Sequence, residues 1–180
     1  MKKITFLALL LFVGNLVFSQ KVMTRTGQVK FEASVPSFEP VAATNNSVSA
    51  ILDKSNGEFA VLALIKAFKF EIPLMEEHFN ENYMESSVYP KATFKGKIIN
   101  FDASKLSISK KYDVEGDLTI HGVTKKIKTK ISVVLKEGKV YLSNNFTVKA
   151  QEYNIKIPSL VKSKVSENVN IALDLTLDEK

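Results

Sequence analysis

The 180-residue chain contains no cysteine and no tryptophan, and only two histidines, five prolines and seven glycines. Without cysteine there are neither disulfides nor thiolate metal sites, so a hydrophobic core must supply the stability alone. The two histidines, His78 and His121, are far apart in sequence, and no carboxylate stands at ligand spacing from either. A metal site needs a third ligand, so none is expected. There is no Gly-rich phosphate loop and no Gly-x-Ser-x-Gly elbow, and no residue is singled out as catalytic. Long hydrophobic runs are scarce as well. The one at residues 4–18 follows Lys2-Lys3 and is soon succeeded by polar residues, too short for a comfortable membrane span. Val17 and Ser19 stand where a leader peptidase requires small side chains. Residues 1–19 therefore read as a secretory signal, and residues 20–180 as one domain exported to a periplasm or secreted.

Without Lys2 and Lys3 the chain has 23 basic and 19 acidic side chains. The lysines fall at alternate positions along strands and are offset by carboxylates. That pattern suits a solvated outer face and not a nucleic-acid surface.

What the sequence does contain is alternation. Residues 116–127, Gly-Asp-Leu-Thr-Ile-His-Gly-Val-Thr-Lys-Lys-Ile, describe a hairpin if His121-Gly122 is a two-residue turn with positive φ. Ile120 then faces Val123, Leu118 faces Lys125, Gly116 faces Ile127 and Tyr112 faces Ile131. The other side pairs Thr119 with Thr124, Asp117 with Lys126, Glu115 with Lys128 and Asp113 with Lys130. A one-residue slip would exchange the two faces, so the register is fixed. Glu137-Gly138 makes a second such turn, setting Leu135 against Val140, Val133 against Leu142, Thr129 against Phe146 and Ile127 against Val148.

Five further segments read as strands. Residues 28–35 carry Val29, Phe31, Ala33 and Val35 on one side, and residues 92–98 carry Ala92, Phe94, Gly96 and Ile98. Residues 48–52 and 58–68 flank a Lys54-Ser55-Asn56-Gly57 turn, and residues 169–177 form the last strand. The 58–68 strand is apolar on both sides, with Phe59 and Val61 on one and Ala60, Leu62 and Leu64 on the other. It should be covered on both faces. Pro36, Pro40 and Thr44-Asn45-Asn46 read as an irregular connection. A single helix is expected over residues 73–84, with Pro73 in its first turn and Glu76 and Glu77 near its positive end.

About eight long one-sided strands, adjacent in sequence and hence antiparallel, must close on themselves to hide their apolar faces. The expected fold is all-β, an eight-stranded antiparallel barrel with one inserted helix. Such a barrel holds one small ligand or is filled by its own side chains. The inward residues are Phe31, Phe59, Val61, Phe94, Ile98, Leu118, Ile120, Val133, Phe146 and Leu173, apolar and uncharged, suited to a long hydrocarbon. Three candidates stand near the mouth. His121 serves either the turn or the polar head of a ligand. His78 is a surface histidine or a rim residue. Lys125 either snorkels out of the barrel or offers a cation to a head group.

Leu118-Thr119-Ile120-His121-Gly122-Val123-Thr124-Lys125 resembles the signature hairpin of the YceI-like family. Glu77-His78-Phe79 followed by Tyr89-Pro90-Lys91-Ala92-Thr93-Phe94 resembles its helix-to-strand segment. The chain departs from the family in lacking the tryptophan before the first strand. The resemblance implies a lipocalin-like barrel enclosing a polyisoprenoid or isoprenoid quinone in place of any cofactor, often as a periplasmic homodimer without catalytic chemistry. The expected function is thus a non-enzymatic carrier of an isoprenoid lipid. The alternatives are an envelope scaffold or stress protein with a filled core, whose outer face binds a partner, and a lipid hydrolase or isomerase using His121.

Overall fold

A computed structural model describes residues 21–106 and 109–179, so the leader expected at residues 1–19 lies outside the described residues. The strands are β1 (Lys21–Ser34), β2 (Ala42–Asp53), β3 (Glu58–Leu64), β4 (Lys69–Phe70), β5 (Lys91–Ile98), β6 (Lys110–Ile120), β7 (Val123–Lys136), β8 (Lys139–Lys149) and β9 (Val165–Glu179), with helix α1 (Pro73–His78) after β4. Every pairing is antiparallel. The order runs β1-β9-β8-β7-β6-β5-β3-β2, and β2 returns to β1. Eight strands therefore close a barrel, as the one-sided patterns require. The two-residue β4 is an addition on the edge of β2, at Ala43 and Thr44.

The β6–β7 hairpin has the expected register at every position, from Ile120 opposite Val123 to Asp113 opposite Lys130. His121 (φ 50°) and Gly122 (φ 73°) form its turn, and Glu137 (φ 52°) and Gly138 (φ 78°) form the next. Both conformations match the right-handed twist of the flanking strands. On the outer face Lys128 pairs with Glu115 and Lys130 with Asp113, each at 2.7 Å. These exposed pairs fix register more than stability. Glu115 beside it raises the Lys128 ammonium above its ordinary pKa.

Four local expectations need correction. The helix is α-helical only to His78; residues 79–83 continue as a wider π turn, bringing Phe79, Tyr83 and Met84 toward the barrel. Thr44-Asn45-Asn46 is not a loop. It lies inside β2 at a bulge in the β1–β2 register, where buried Asn45 donates Nδ2 to the Leu64 carbonyl at 3.0 Å and accepts from the Ser47 amide at 2.8 Å. A side chain that satisfies backbone groups where a ladder slips explains polar residues in a strand. β3 ends at Leu64, followed by a 3₁₀ turn (Ile65–Ala67), and its outer face is only partly covered: Ala60 and Leu62 are half-buried and Leu64 is 50% exposed.

The fourth correction concerns β7 and β8. They pair only from Lys136–Lys139 up to Ile131–Asn144. Thr129 does not meet Phe146, nor Ile127 Val148. Above that point β7 stays with β6 and β8 stays with β9. The chain leaving β8 turns into a 3₁₀ helix (Ala150–Tyr153), and the Tyr153 side chain is buried at this end of the barrel.

The barrel ends differ. At the end holding the 137–138 turn, Val22, Leu52, Ile98, Val133, Leu142 and Leu175 pack solidly, each 3% exposed or less. At the other end lie the 35–41 loop, the 65–90 segment with α1, the 121–122 turn and the 150–164 segment. On one wall, Gly96 of β5 faces Gly116 of β6, and the Phe94 ring lies over both. A Cβ on Gly116 would come 2.5 Å from Gly96 Cα and 2.6 Å from Phe94 Cζ. Gly116→Ala should therefore destabilise the barrel by roughly 1–3 kcal/mol through overpacking, read as a lower urea midpoint with unchanged m-value. An unaltered midpoint would show that the two strands can part without cost.

Candidate functional site

Above the packed end the barrel is hollow. A cavity of about 640 Å³ runs from a floor at the level of Val114, Ile131 and Leu173 to the open end. This is within the range of ligand sites, roughly 300–1,000 Å³. Of the ten inward residues expected from sequence, eight line it: Phe31, Phe59, Val61, Phe94, Leu118, Ile120, Phe146 and Leu173. Ile98 and Val133 do not. Both are wholly buried in the packed end, below the floor. The alternating pattern tells which face a residue takes but not how high up the barrel it stands.

The candidates at the mouth separate similarly. His78 lines the cavity at the end of α1. Lys125 faces Leu118 across the β6–β7 ladder, as expected, yet it is exposed and outside the lining. β7 no longer has β8 beside it at that height, so its side chain escapes to water. His121 is also outside the lining, although buried. Its Nδ1 is 3.2 Å from the Tyr153 carbonyl, its Nε2 is 2.8 Å from Glu85 Oε2, and its ring packs edge-on against Tyr89 at 4.4 Å. Both partners are acceptors, so imidazolium satisfies both bonds and neutral imidazole one. The residue is a clasp joining the hairpin turn, the 150–153 helix and the chain after the π turn. This geometry gives the turn role and leaves no exposed nitrogen for a head group.

Sequence reasoning missed the aromatic cover. Phe79 stacks on Phe31 with centroids 5.1 Å apart, and meets Phe70 at 5.1 Å and Phe68 at 5.9 Å. Phe68 and Phe70 are also 5.6 and 5.7 Å from Phe31. These four rings hold the helical segment across part of the opening. The Lys69 ammonium and the Phe70 amide both bond the Glu76 carboxylate, tying α1 to β4. The Lys69 bond holds the Glu76 carboxyl below its ordinary pKa, against a smaller opposing effect of desolvation.

Asn144 was missed as well. It is 7% exposed, and its Oδ1 accepts from Thr129 Oγ1 at 3.3 Å. Its register partners Ile131 and Leu173 line the cavity, whereas Val133, Leu142 and Leu175, one layer down, do not. The pair thus sits at the floor of an otherwise greasy space. A polar residue in an alternating strand gives no sign of this, because the depth of the floor is a property of the closed barrel. Tyr153 also lines the wall, and burial pushes its phenol pKa up. Among the described residues, no three His, Cys, Asp or Glu side chains gather in a way that would hold a metal.

Because Glu76 is held ionised, the tether is present above the ordinary glutamate range and is lost as pH falls through the lowered value. Protection of the residue 70–83 amides, taken relative to the intrinsic exchange rate at each pH, should therefore fall only once the pH drops below the ordinary glutamate range, and Glu76→Gln should show the low protection already at neutral pH. Equal protection in both proteins at both pH values would remove the tether.

Solved structures with the same fold are found at low identity. A polyisoprenoid-binding domain from Saccharophagus degradans matches with TM-score 0.76 and 17% identity, over 89% of this chain and 99% of that one. BcnA of Burkholderia cenocepacia matches with TM-score 0.69 and 19% identity, over 83% and 95%. The YceI protein of Campylobacter jejuni matches with TM-score 0.65 and 19% identity, over 81% and 89%. At such identities the likeness is one of fold. No curated protein matches the sequence. A family model, the YceI-like domain, matches residues 16–177.

Proposed function

The chain belongs to the YceI-like domain family, and from that premise we propose that it is a non-enzymatic binding protein for a long apolar isoprenoid lipid held inside the barrel. The observation that carries this reading is the cavity, about 640 Å³ and walled almost wholly by aromatic and aliphatic side chains. The Saccharophagus domain of the same fold is described as polyisoprenoid-binding, which supports the same ligand class. A filled scaffold would need side chains in that space. A lipid hydrolase using His121 would need that residue at the cavity, and its two nitrogens are instead engaged outside it.

Affinity on this reading comes from area, not from polar contacts. Each buried CH₂ contributes about 0.8 kcal/mol, so a five-carbon unit offers up to roughly 4 kcal/mol before ordering costs. Shape and length then select the guest. The Asn144–Thr129 pair adds one polar preference, for a ligand whose oxygen-bearing end enters first, as a quinone or phenol head would. The leader read from the sequence at residues 1–19 supports work outside the cytoplasm.

Organic extraction and native mass spectrometry of protein from its own source should yield a stoichiometric prenyl lipid. Ala63 is buried and lines the cavity. Ala63→Trp, filling that space, should lower prenyl-lipid affinity about tenfold or more while leaving the melting temperature nearly unchanged. Asn144→Leu should weaken a prenylated quinone by about tenfold and leave a plain polyprene untouched. An empty protein whose prenyl-lipid affinity ignores Ala63→Trp would end the proposal.

A further inference from the structure

The described residues include six large hydrophobic side chains that are markedly exposed, and five of them (Phe38, Leu64, Leu74, Val88 and Leu160) stand at the open end of the barrel. Only Leu135 is at the packed end. Chance scatter of surface apolar residues would not gather them round the mouth of an apolar cavity.

One side of that mouth has a further property. Residues 155–164, Ile-Lys-Ile-Pro-Ser-Leu-Val-Lys-Ser-Lys, contain three lysines and no carboxylate. Ile155, Ile157 and Val161 line the cavity, while Leu160, on the 3₁₀ turn Ser159–Val161, is 88% exposed. Ser34 pairs with Val165 where β1 and β9 meet, so the loop carrying Phe38 lies beside this segment. Phe38 also lines the cavity and is 44% exposed. Lys162 is paired with Glu167 at 2.9 Å, whereas Lys156 and Lys164 have no ion pair among the described residues. The helical side of the mouth has the opposite balance, Glu71, Glu76, Glu77, Glu81 and Glu85 against Lys66 and Lys69, with Glu76 paired to Lys69.

We propose that this side of the open end docks on an anionic bilayer surface, with Leu160 and Phe38 entering the headgroup layer and Lys156 and Lys164 facing the lipid phosphates. Glu39 beside Phe38 is a carboxylate on this side, outnumbered by Lys156 and Lys164; apolar tips with such an excess of lysine are the composition of an interfacial anchor. A lipid surface is the occupant favoured because the exposed side chains run on continuously into the cavity wall. A chain leaving the bilayer would then pass from membrane to barrel without crossing water. The acidic helical side tilts away from the surface. The ligand's route rests on the proposed lipid-binding function; the docking itself does not.

The test is flotation with vesicles of phosphatidylcholine alone or with phosphatidylglycerol, using the full mature chain. The wild type should float with the mixed vesicles. Leu160→Asp should bind them about tenfold or more weakly, and Lys156→Ser with Lys164→Ser should abolish the preference for phosphatidylglycerol. Both variants should keep the wild-type circular dichroism, and Leu160→Asp, which lies outside the cavity lining, should take up a fluorescent prenyl alcohol supplied in detergent micelles. Wild-type protein that stays with neither vesicle would overturn the proposal. So would variants that float like wild type, or a dimer that Leu160→Asp dissolves in sedimentation without vesicles being bound. Flotation that survives while the prenyl alcohol is refused would sink the ligand reading and leave the docking intact.

Discussion

Strand β1 is hydrogen-bonded along both edges, to β2 on one side and β9 on the other, and that closure is the constraint on which the rest depends. Without it the inward faces of eight strands would form one large apolar sheet exposed to water. With it, side chains from opposite walls meet. In the lower half they fill the bore, and in the upper half they leave the cavity between them. The Asn45 bulge in β2 belongs to the same closure, because it lets β1 and β2 stay paired through a slip in register.

The hollow half is kept open by elements that come across its end without entering it. Phe79 and its three aromatic neighbours hold the helical segment over one part of the mouth. The parting of β7 from β8 above Asn144 leaves room for Tyr153 and the segment that follows it. His121 then binds the hairpin tip, Glu85 and the Tyr153 carbonyl together at that end. With no cysteine in the chain, such buried polar contacts take the place a disulfide would have in linking loops distant in sequence.

Much of this was legible before any coordinates. The His121-Gly122 turn, the facing of Thr119 with Thr124 and the carboxylate–lysine ladder all follow from period-two alternation and one turn geometry, both local. Eight of the ten inward residues expected from that face assignment line the cavity. The losses are equally instructive. Ile98 and Val133 have the right face at the wrong height, and Lys125 has an inward register but a missing neighbour. Asn45 looked like a loop residue because side-chain service to a bulge cannot be told from loop chemistry in one strand alone. Residues 150–164 have no periodicity to read, so their place at the mouth was invisible.

By itself, then, the sequence determined which residues turn inward and which strands pair with their neighbours, since both depend on residues a few positions apart. Only the tertiary structure decided where the bore stops being solid, which polar pair forms its floor and which loops rim its mouth. Those features come from side chains on opposite walls competing for one enclosed volume, and the distance across a closed barrel is written in no single strand.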